Sequence, residues 1–375
     1  MAGLYIHVPF CSKRCLYCDF FSNTEMRYKT PYLAALIREM ALRAPYLAGE
    51  PIETIYFGGG TPSQLSIPDF QRLFEAINRY FTLTADMEIT LEANPDDLSP
   101  SYIQSLRTLP FNRLSMGIQS FHDDDLRLLN RRHTASQAIE AVGRCQEAGL
   151  TNLSIDLIYG LPGQTIKAWE NNLAQALALQ VPHLSAYHLT YEEGTALYRL
   201  WKQGKVRPVE EELSLAFFNL LIDRLTAGGF QHYEISNFAL PGYYSRHNSS
   251  YWTGKAYLGL GPSAHSYNGR EREWNVASLP IYIKGIEAGK PELEREELAL
   301  STRYNDFIIT RLRTQQGIQC QELISSFGES WLSYCLEQAK PAIQRGWLCY
   351  ESDRLWLSRE GLFLSDGIMS DLLWV

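Results

Sequence analysis

Cys11-Ser12-Lys13-Arg14-Cys15-Leu16-Tyr17-Cys18 sets three thiols in a C-x3-C-x2-C spacing, directly after the apolar run Leu4-Tyr5-Ile6-His7-Val8-Pro9-Phe10. The run reads as a first strand, so the cysteines fall on the loop at its C-terminal end. Thiolates are soft ligands that select iron–sulfur clusters, zinc or copper(I). Structural zinc sites usually take four ligands with C-x2-C pairs, and no second pair follows here. A cubane [4Fe–4S] cluster takes one thiolate per iron, so three thiolates leave one iron open to a substrate or cofactor. The bland alternative is three ordinary buried cysteines. Lys13 and Arg14 between them make a poor core segment.

Strands and helices then alternate for about two-thirds of the chain. Strands are expected around residues 55–57, 87–91, 113–118, 153–158 and 184–189, with a further short strand at 232–238. Helices are expected over 31–43, 70–80, 101–108, 135–148, 166–177 and 210–227. Such alternation implies parallel strands with helical crossovers. The polar and Gly-rich stretches fall at the C-terminal ends of strands. A βα-barrel and an open α/β sheet both place their sites there, so the pattern does not separate them. From about Tyr243 the alternation stops. Helices at 279–288, 302–312, 319–326 and 331–345 follow, then a hairpin turning at Ser352-Asp353 and a final helix over 362–373, which suggests a winged-helix-like module.

The chain has 375 residues, 45% hydrophobic and 20% charged, the composition of an ordinary globular protein. A net charge of −8 argues against a partner bound through phosphate neutralisation, so no nucleic acid is expected. No run is long enough for a transmembrane helix. Three residues before the first strand are too few for a signal peptide. Seven cysteines, four of them scattered, point to a reducing cytoplasm.

Gly58-Gly59-Gly60-Thr61-Pro62 lets backbone approach a ligand closely, although a Gly triplet alone is as well read as a tight turn. Glu92, Gln119 and Asp156 stand near the ends of successive strands, and Arg131 lies in the loop after the fourth. Singly each is an ordinary surface residue, but together they would converge on one mouth. A carboxylate there can accept from ribose hydroxyls, and Arg131 could grip a carboxylate in a bidentate fork.

The cysteine spacing, with Tyr17 before the last thiol, resembles the radical S-adenosylmethionine (SAM) superfamily. The resemblance implies a partial (βα)6 barrel, and the six strand–helix units agree with it. It also implies that SAM chelates the open iron and is cleaved by one electron to a 5′-deoxyadenosyl radical. Tyr5–Cys11, Gly58–Pro62, Glu92–Pro95, Gly117–Ser120, Asp156–Thr165 and Tyr233–Ala239 narrow it to the oxygen-independent coproporphyrinogen III oxidase-like family. By that resemblance Cys11, Cys15 and Cys18 hold the cluster. Tyr5, Tyr17, Gly59, Gly60, Thr61, Glu92, Gln119, Arg131 and Asp156 line the SAM region.

Two features depart from the oxidases. Their fourth cysteine, two residues after the third, is replaced here by Phe20. Their long N-terminal extension is reduced to ten residues before Cys11. Both departures match the HemW subgroup, described as heme chaperones, and Arg246-His247-Asn248-Ser249-Ser250-Tyr251-Trp252 resembles its H-N-x-x-Y-W signature. The resemblance implies heme as cargo, an acceptor protein (a respiratory one is a candidate), a reductant for the cluster, and compatibility with a dimer. His247 is the candidate heme ligand, with His265 its rival, and the bland reading of His247 is a buried histidine bonded to its surroundings. The alternative function is oxidative decarboxylation of coproporphyrinogen III. A weaker third reading is a radical enzyme on another substrate, so the question of enzymatic activity stays open. The expected organisation is a barrel over 1–238, a connecting segment over 239–290, and a C-terminal helical domain with a hairpin over 291–375.

Overall fold

Residues 1–375 are all described by the structure, a computed structural model. Its first six strands are β1 (Ala2–Val8), β2 (Ile52–Gly59), β3 (Leu83–Ala93), β4 (Arg113–Gln119), β5 (Leu153–Tyr159) and β6 (His183–His188). They pair in parallel in chain order, 1-2-3-4-5-6. Sequential order is the winding of a barrel, whereas a doubly wound sheet reverses direction at a switch point. The alternation of the sequence therefore resolves to the barrel.

The barrel is partial. The free edge of β1 takes β9 (Tyr257–Leu260), and the free edge of β6 takes the hairpin β7 (Gln231–Glu234)–β8 (Asn237–Ala239), which makes nine of the twelve strands of one sheet. The single strand expected at 232–238 is thus a hairpin. Glu234 turns its chain by accepting from Ser236 N at 3.0 Å and from the Asn237 amide.

Side-chain alternation explains how the sheet carries a site. Leu4 and Ile6, Ile55 and Phe57, Ile89 and Leu91, Leu114 and Met116, Leu153 and Ile155 all enter the main hydrophobic core. Their neighbours face the other way, and the register lines up Tyr5, Tyr56, Thr90 and Arg113 across four strands. Parallel strands covered on both faces usually read as continuous apolar runs. Here the inner face is polar, so it lines a site rather than a core.

The outer face is covered by helices among α1 (Lys29–Arg43), α2 (Ile67–Tyr80), α3 (Pro100–Leu106), α4 (Asp123–Leu128), α5 (Ala135–Glu147), α6 (Ile166–Ala178) and α8 (Glu211–Ala227), while α7 (Ala196–Lys202) packs Leu197 beside the cysteine loop. α2 shows why these segments are helical. Ser66 and Asp69 form a reciprocal capping box. Phe70, Leu73, Phe74 and Ile77 then recur at helical spacing and are buried. Phe70 and Phe74 meet Phe57 and Phe111 edge to face at 5.1–5.6 Å.

Residues 239–290 are more than a connection. They supply α9 (Arg246–Trp252), β9, β10 (His265–Tyr267), β11 (Glu271–Asn275) and α10 (Leu279–Glu287), and β12 (Leu293–Glu297) follows at the sheet edge. A buried network pins this extension to α1. Arg43 donates to the Gly259 carbonyl (3.1 Å), Ser266 Oγ (3.2 Å) and Glu273 Oε2 (2.7 Å). Glu39 accepts from Gly261 N (2.8 Å), Asn275 Nδ2 (2.6 Å) and Tyr282 Oη (2.6 Å). Paired and hydrogen-bonded, these charges can be buried without the large desolvation penalty of an isolated ion.

The C-terminal part has its own core around Tyr304, Phe307, Leu323, Ala339 and Leu355. It comprises α11 (Leu300–Leu312), β13 (Ile318–Gln319), α12 (Cys320–Phe327), α13 (Glu329–Gln344), β14 (Leu348–Glu351), β15 (Arg354–Leu357), α14 (Arg359–Phe363) and α15 (Ser365–Asp371). The β14–β15 hairpin turns through Ser352 (φ 51°) and Asp353 (φ 58°), both left-handed as a two-residue turn requires. Gly361 stands where a Cβ would meet the Trp347 carbonyl at 2.0 Å, and the last helix expected is divided at Leu364 into α14 and α15. No helix is long and apolar enough to cross a membrane.

Candidate functional site: the barrel mouth

The three cysteines follow β1 at the mouth of the barrel. Cys11 N bonds Asn23 O (3.0 Å), Leu16 N bonds Leu129 O (3.2 Å), and Asn130 Nδ2 holds Arg14 O (2.8 Å). The loop is therefore stapled to the segment after β4. Asn130 accepts a left-handed backbone (φ 62°) to reach it.

Hydrogen-bond donors already face two of the sulfurs. Thr61 Oγ1 donates to Cys11 Sγ (3.3 Å), and Arg131 Nη1 to Cys15 Sγ (3.4 Å). Burial pushes the Cys11 thiol up and the Cys18 thiol up to about 11. No three ligand side chains converge as a finished metal centre, the cysteines included. The donor set nonetheless suits a thiolate cluster, because metal binding deprotonates thiols and completes the ordering of its loop.

Gly59 and Gly60 sit where no other residue fits. A Cβ on Gly59 (φ 102°) would strike the His7 ring at 2.5 Å, and one on Gly60 would meet Pro9 C and Val8 O at 2.8 Å. Thr61 next accepts from Asn94 Nδ2 (3.3 Å). Asn94 Oδ1 in turn accepts from Arg131 Nη2 (2.6 Å), which also reaches the Gly117 carbonyl. Arg131 thus grips an amide, a carbonyl and a thiol, and no carboxylate. Below this layer Ser12, Gln64, Asp97 and Arg132 form a chain of hydrogen bonds of 2.6–2.8 Å that locks three loops together.

Glu92 and Asp156 lie on the inner face. Glu92 accepts from Tyr56 Oη (2.7 Å) and Gly59 N (3.2 Å), and burial lifts its carboxyl to about 7. Burial raises Asp156 to about 6, opposed by hydrogen bonds from Ser185 and Ser115 and by the charges of Arg113 and Arg131. Gln119 is buried with φ 74°, at a bulge where the β4–β5 register slips. A strained non-glycine residue at a strand end is a mark of a constrained site. Tyr5 stacks on Tyr56 (6.2 Å), and Tyr17 packs beside Leu129, Ile158 and Leu161. The nine residues expected to line the cofactor region and the three cysteines all come from this mouth and its inner face.

Asn94, Tyr56 and Arg113 were not singled out from the sequence. Arg113 is 2% exposed, its Nε has no partner, and it sits among Glu92, Asp156 and His183. Polar alternation along Arg113-Leu114-Ser115-Met116-Gly117 was the available signal.

His247, the candidate heme ligand, is buried against the barrel strands. It lies on α9, which plugs the barrel floor with the backbone N–H groups of Arg246 and His247 bonded to Glu88 at 3.0 and 2.9 Å. Its Nδ1 is 2.8 Å from Thr54 Oγ1 and its Nε2 2.8 Å from Tyr251 Oη. The ring is fully buried and stacks on Tyr56 at 5.0 Å. Burial, then the charge of Arg113, lowers it to about 3. With both nitrogens bonded, none is available to iron in this arrangement.

The comparisons with known proteins agree with this architecture. The radical SAM superfamily profile matches residues 5–176, and the HemN C-terminal domain profile residues 298–364. The heme chaperone HemW of Bacillus subtilis is 34% identical, covering 100% of this chain and 99% of its own length. HemW of Mycobacterium tuberculosis is 34% identical over 99% of this chain and 94% of its own. Among solved structures, coproporphyrinogen III oxidase (HemN) from Escherichia coli superposes with a TM-score of 0.85 at 25% identity, over 99% of this chain and 89% of that one. Full-length identity at this level and a shared pair of domains mean that the chain belongs to the HemW family of the radical SAM superfamily.

Proposed function

We propose that this chain is a heme chaperone: it binds heme and hands it to an acceptor protein, using a barrel that also holds a [4Fe–4S] cluster and SAM. The observation that carries this reading is the full-length likeness to proteins named heme chaperone HemW. Phe20, 66% exposed two residues after Cys18, agrees with it, since the oxidase-like fourth thiol is absent.

In this reading Cys11, Cys15 and Cys18 ligate the cluster. When bound, such a cluster offers one open iron to SAM and an electron for its cleavage. The hydrogen bond from Thr61 favours the thiolate form of Cys11 against burial, and Arg131 donates to Cys15 Sγ. Tyr5, Tyr17, Gly59, Gly60, Gln119, Glu92, Arg131 and Asp156 shape the SAM region. Glu92 and Asp156 supply buried carboxyl groups, held by Tyr56, Gly59 and Ser115, that can also accept from hydroxyls of the cofactor.

The test is anaerobic reconstitution followed by two assays on one preparation. Stoichiometric hemin uptake, with transfer to an apo-protein and no porphyrinogen product, is expected. Steady conversion of coproporphyrinogen III to protoporphyrinogen would overturn the chaperone reading.

A further inference from the structure

A cavity of about 690 Å³ opens beside the barrel mouth, between the β9–β11 extension and α11–α12 of the C-terminal part. That volume lies within the ~300–1,000 Å³ of cofactor sites. One wall is the segment Asp19–Phe21 that leaves the cysteine loop. Aromatic rings form much of the rest, among them Tyr257, Tyr267, Phe307 and Phe327.

Two features of this wall stand apart from their surroundings. The first is His265. Every other histidine in the chain has at least one ring nitrogen hydrogen-bonded. His265 makes no hydrogen bond, is exposed, and faces the cavity. It is held by other means. Its ring stacks on Trp274 at 5.7 Å, and the next residue, Ser266, is fixed by Arg43. The second is Arg303. Arg272 is spent on Asp306 (2.6 Å), and Arg311 on Glu322 (3.1 Å) and the Trp252 carbonyl. The Arg303 guanidinium has no partner and also lines the cavity. The buried indole N–H of Trp252, another wall residue, likewise lacks an acceptor.

An aromatic-lined space, one free imidazole and an uncommitted cation are what an iron porphyrin with carboxylate arms needs. Resting on the heme-carrier reading above, we propose that this cavity is the heme site, with His265 as an axial ligand of the iron and Arg303 facing a propionate. Phe20 then meets the cargo as an apolar wall beside the cluster loop.

The experiment titrates the full-length, cluster-reconstituted protein with hemin. It compares wild type, His265→Ala, His247→Gln and Arg303→Ala. In His265→Ala the Soret band should shift from its wild-type position and the low-spin signal of imidazole-ligated iron should be lost, and both should be restored on adding imidazole. His247→Gln should keep the wild-type heme spectrum. Arg303→Ala should weaken hemin roughly tenfold to a hundredfold, the worth of a hydrogen bond to a charged group. Heme dimethyl ester, which has no free carboxylates, should bind both proteins alike. A wild-type spectrum in His265→Ala overturns the proposed ligand and leaves the carrier reading standing. A wild type that takes up no hemin overturns both.

Discussion

The barrel mouth and the side cavity are neighbours built on opposite plans. At the mouth the principal polar side chains are already engaged with one another: Arg131 with Asn94 and Cys15, Glu92 with Tyr56 and Gly59, Thr61 with Cys11. In the cavity His265 and Arg303 have no partners at all. A site that must hold a resident cofactor gains from preorganisation, because its groups lose little freedom when the cofactor arrives. A site that must release its cargo gains from groups that can stand alone in water. The two histidines show the contrast most sharply. His247 belongs to the barrel's closed hydrogen-bond network, and His265 waits outside it.

The largest effect that would break this picture concerns the cluster. Cys11→Ala, Cys15→Ala and Cys18→Ala should each lose it, whereas Ala at Cys145, Cys320, Cys335 or Cys349 should not. Iron and sulfide per chain after anaerobic reconstitution decide the matter. Normal cluster content in Cys15→Ala would remove the mouth as the cluster site.

Stability separates the two histidines next. His247→Ala leaves Thr54 and Tyr251 hydroxyls buried without their partner, at a cost of about 2–4 kcal/mol. His265→Ala touches no hydrogen bond and should stay within about 0.5 kcal/mol of wild type. Urea midpoints at constant slope measure both. Equal midpoints would mean that His247 is not part of a closed network.

The contrast also explains what the sequence showed and hid. The mouth was legible because its residues come in short runs at the ends of successive strands: Cys11–Cys18, Gly58–Thr61, Glu92–Pro95. Strand ends in a parallel barrel are brought together by topology alone. The cavity was not legible, because Asp19, His265, Arg303 and Phe327 meet only after β9–β11 have been added to the edge of β1 and α11 has docked on α9. Residues 239–290 hid their strands for a related reason. β9, β10 and β11 have only 4, 3 and 5 residues, and β10 is half exposed, so no period of two can build up. The surroundings of His247 were hidden as well. Its neighbours Thr54 and Tyr56 lie almost two hundred positions away.

SAM affinity sharpens the account of the mouth. Glu92→Ala and Asp156→Ala should each weaken SAM by roughly ten- to a hundredfold, the worth of about 1.5–3 kcal/mol for a hydrogen bond to a charged group. Cluster content should be unchanged. Isothermal titration on the reconstituted variants measures this, and wild-type affinity in both would place the cofactor elsewhere.

The smallest expected effect is a pH slope that belongs to the barrel and not to the cavity. Burial lowers His247 to about 3, and His7 and His232 to about 4, against about 6.5 in an unfolded chain. Between those values the unfolded chain binds protons that the folded chain refuses, so stability rises with pH. This contribution is complete above about pH 6.5 and is lost as pH falls toward 4. Glu92 and Asp156, raised by burial to about 7 and about 6, act in the opposite sense. The folded chain keeps their protons while the unfolded chain releases them, so they cost stability as pH rises from about 4 to 7. His183 and His188, also lowered by burial, act with the histidines, and Asp125, Glu234 and Asp306, raised by burial, act with the carboxyls. His247→Gln removes one of these groups. Its stability, whatever its level at pH 7, should decline less steeply, by about 1 kcal/mol per pH unit between pH 5 and 6. His265 is lowered as well, by burial and then by Arg272, yet it faces solvent in the cavity, so His265→Ala should change the slope less. Urea midpoints from pH 5 to 7.5 read all three lines. A slope in His247→Gln parallel to wild type would show that His247 is protonated within the folded barrel, and its two hydrogen bonds would then need another explanation.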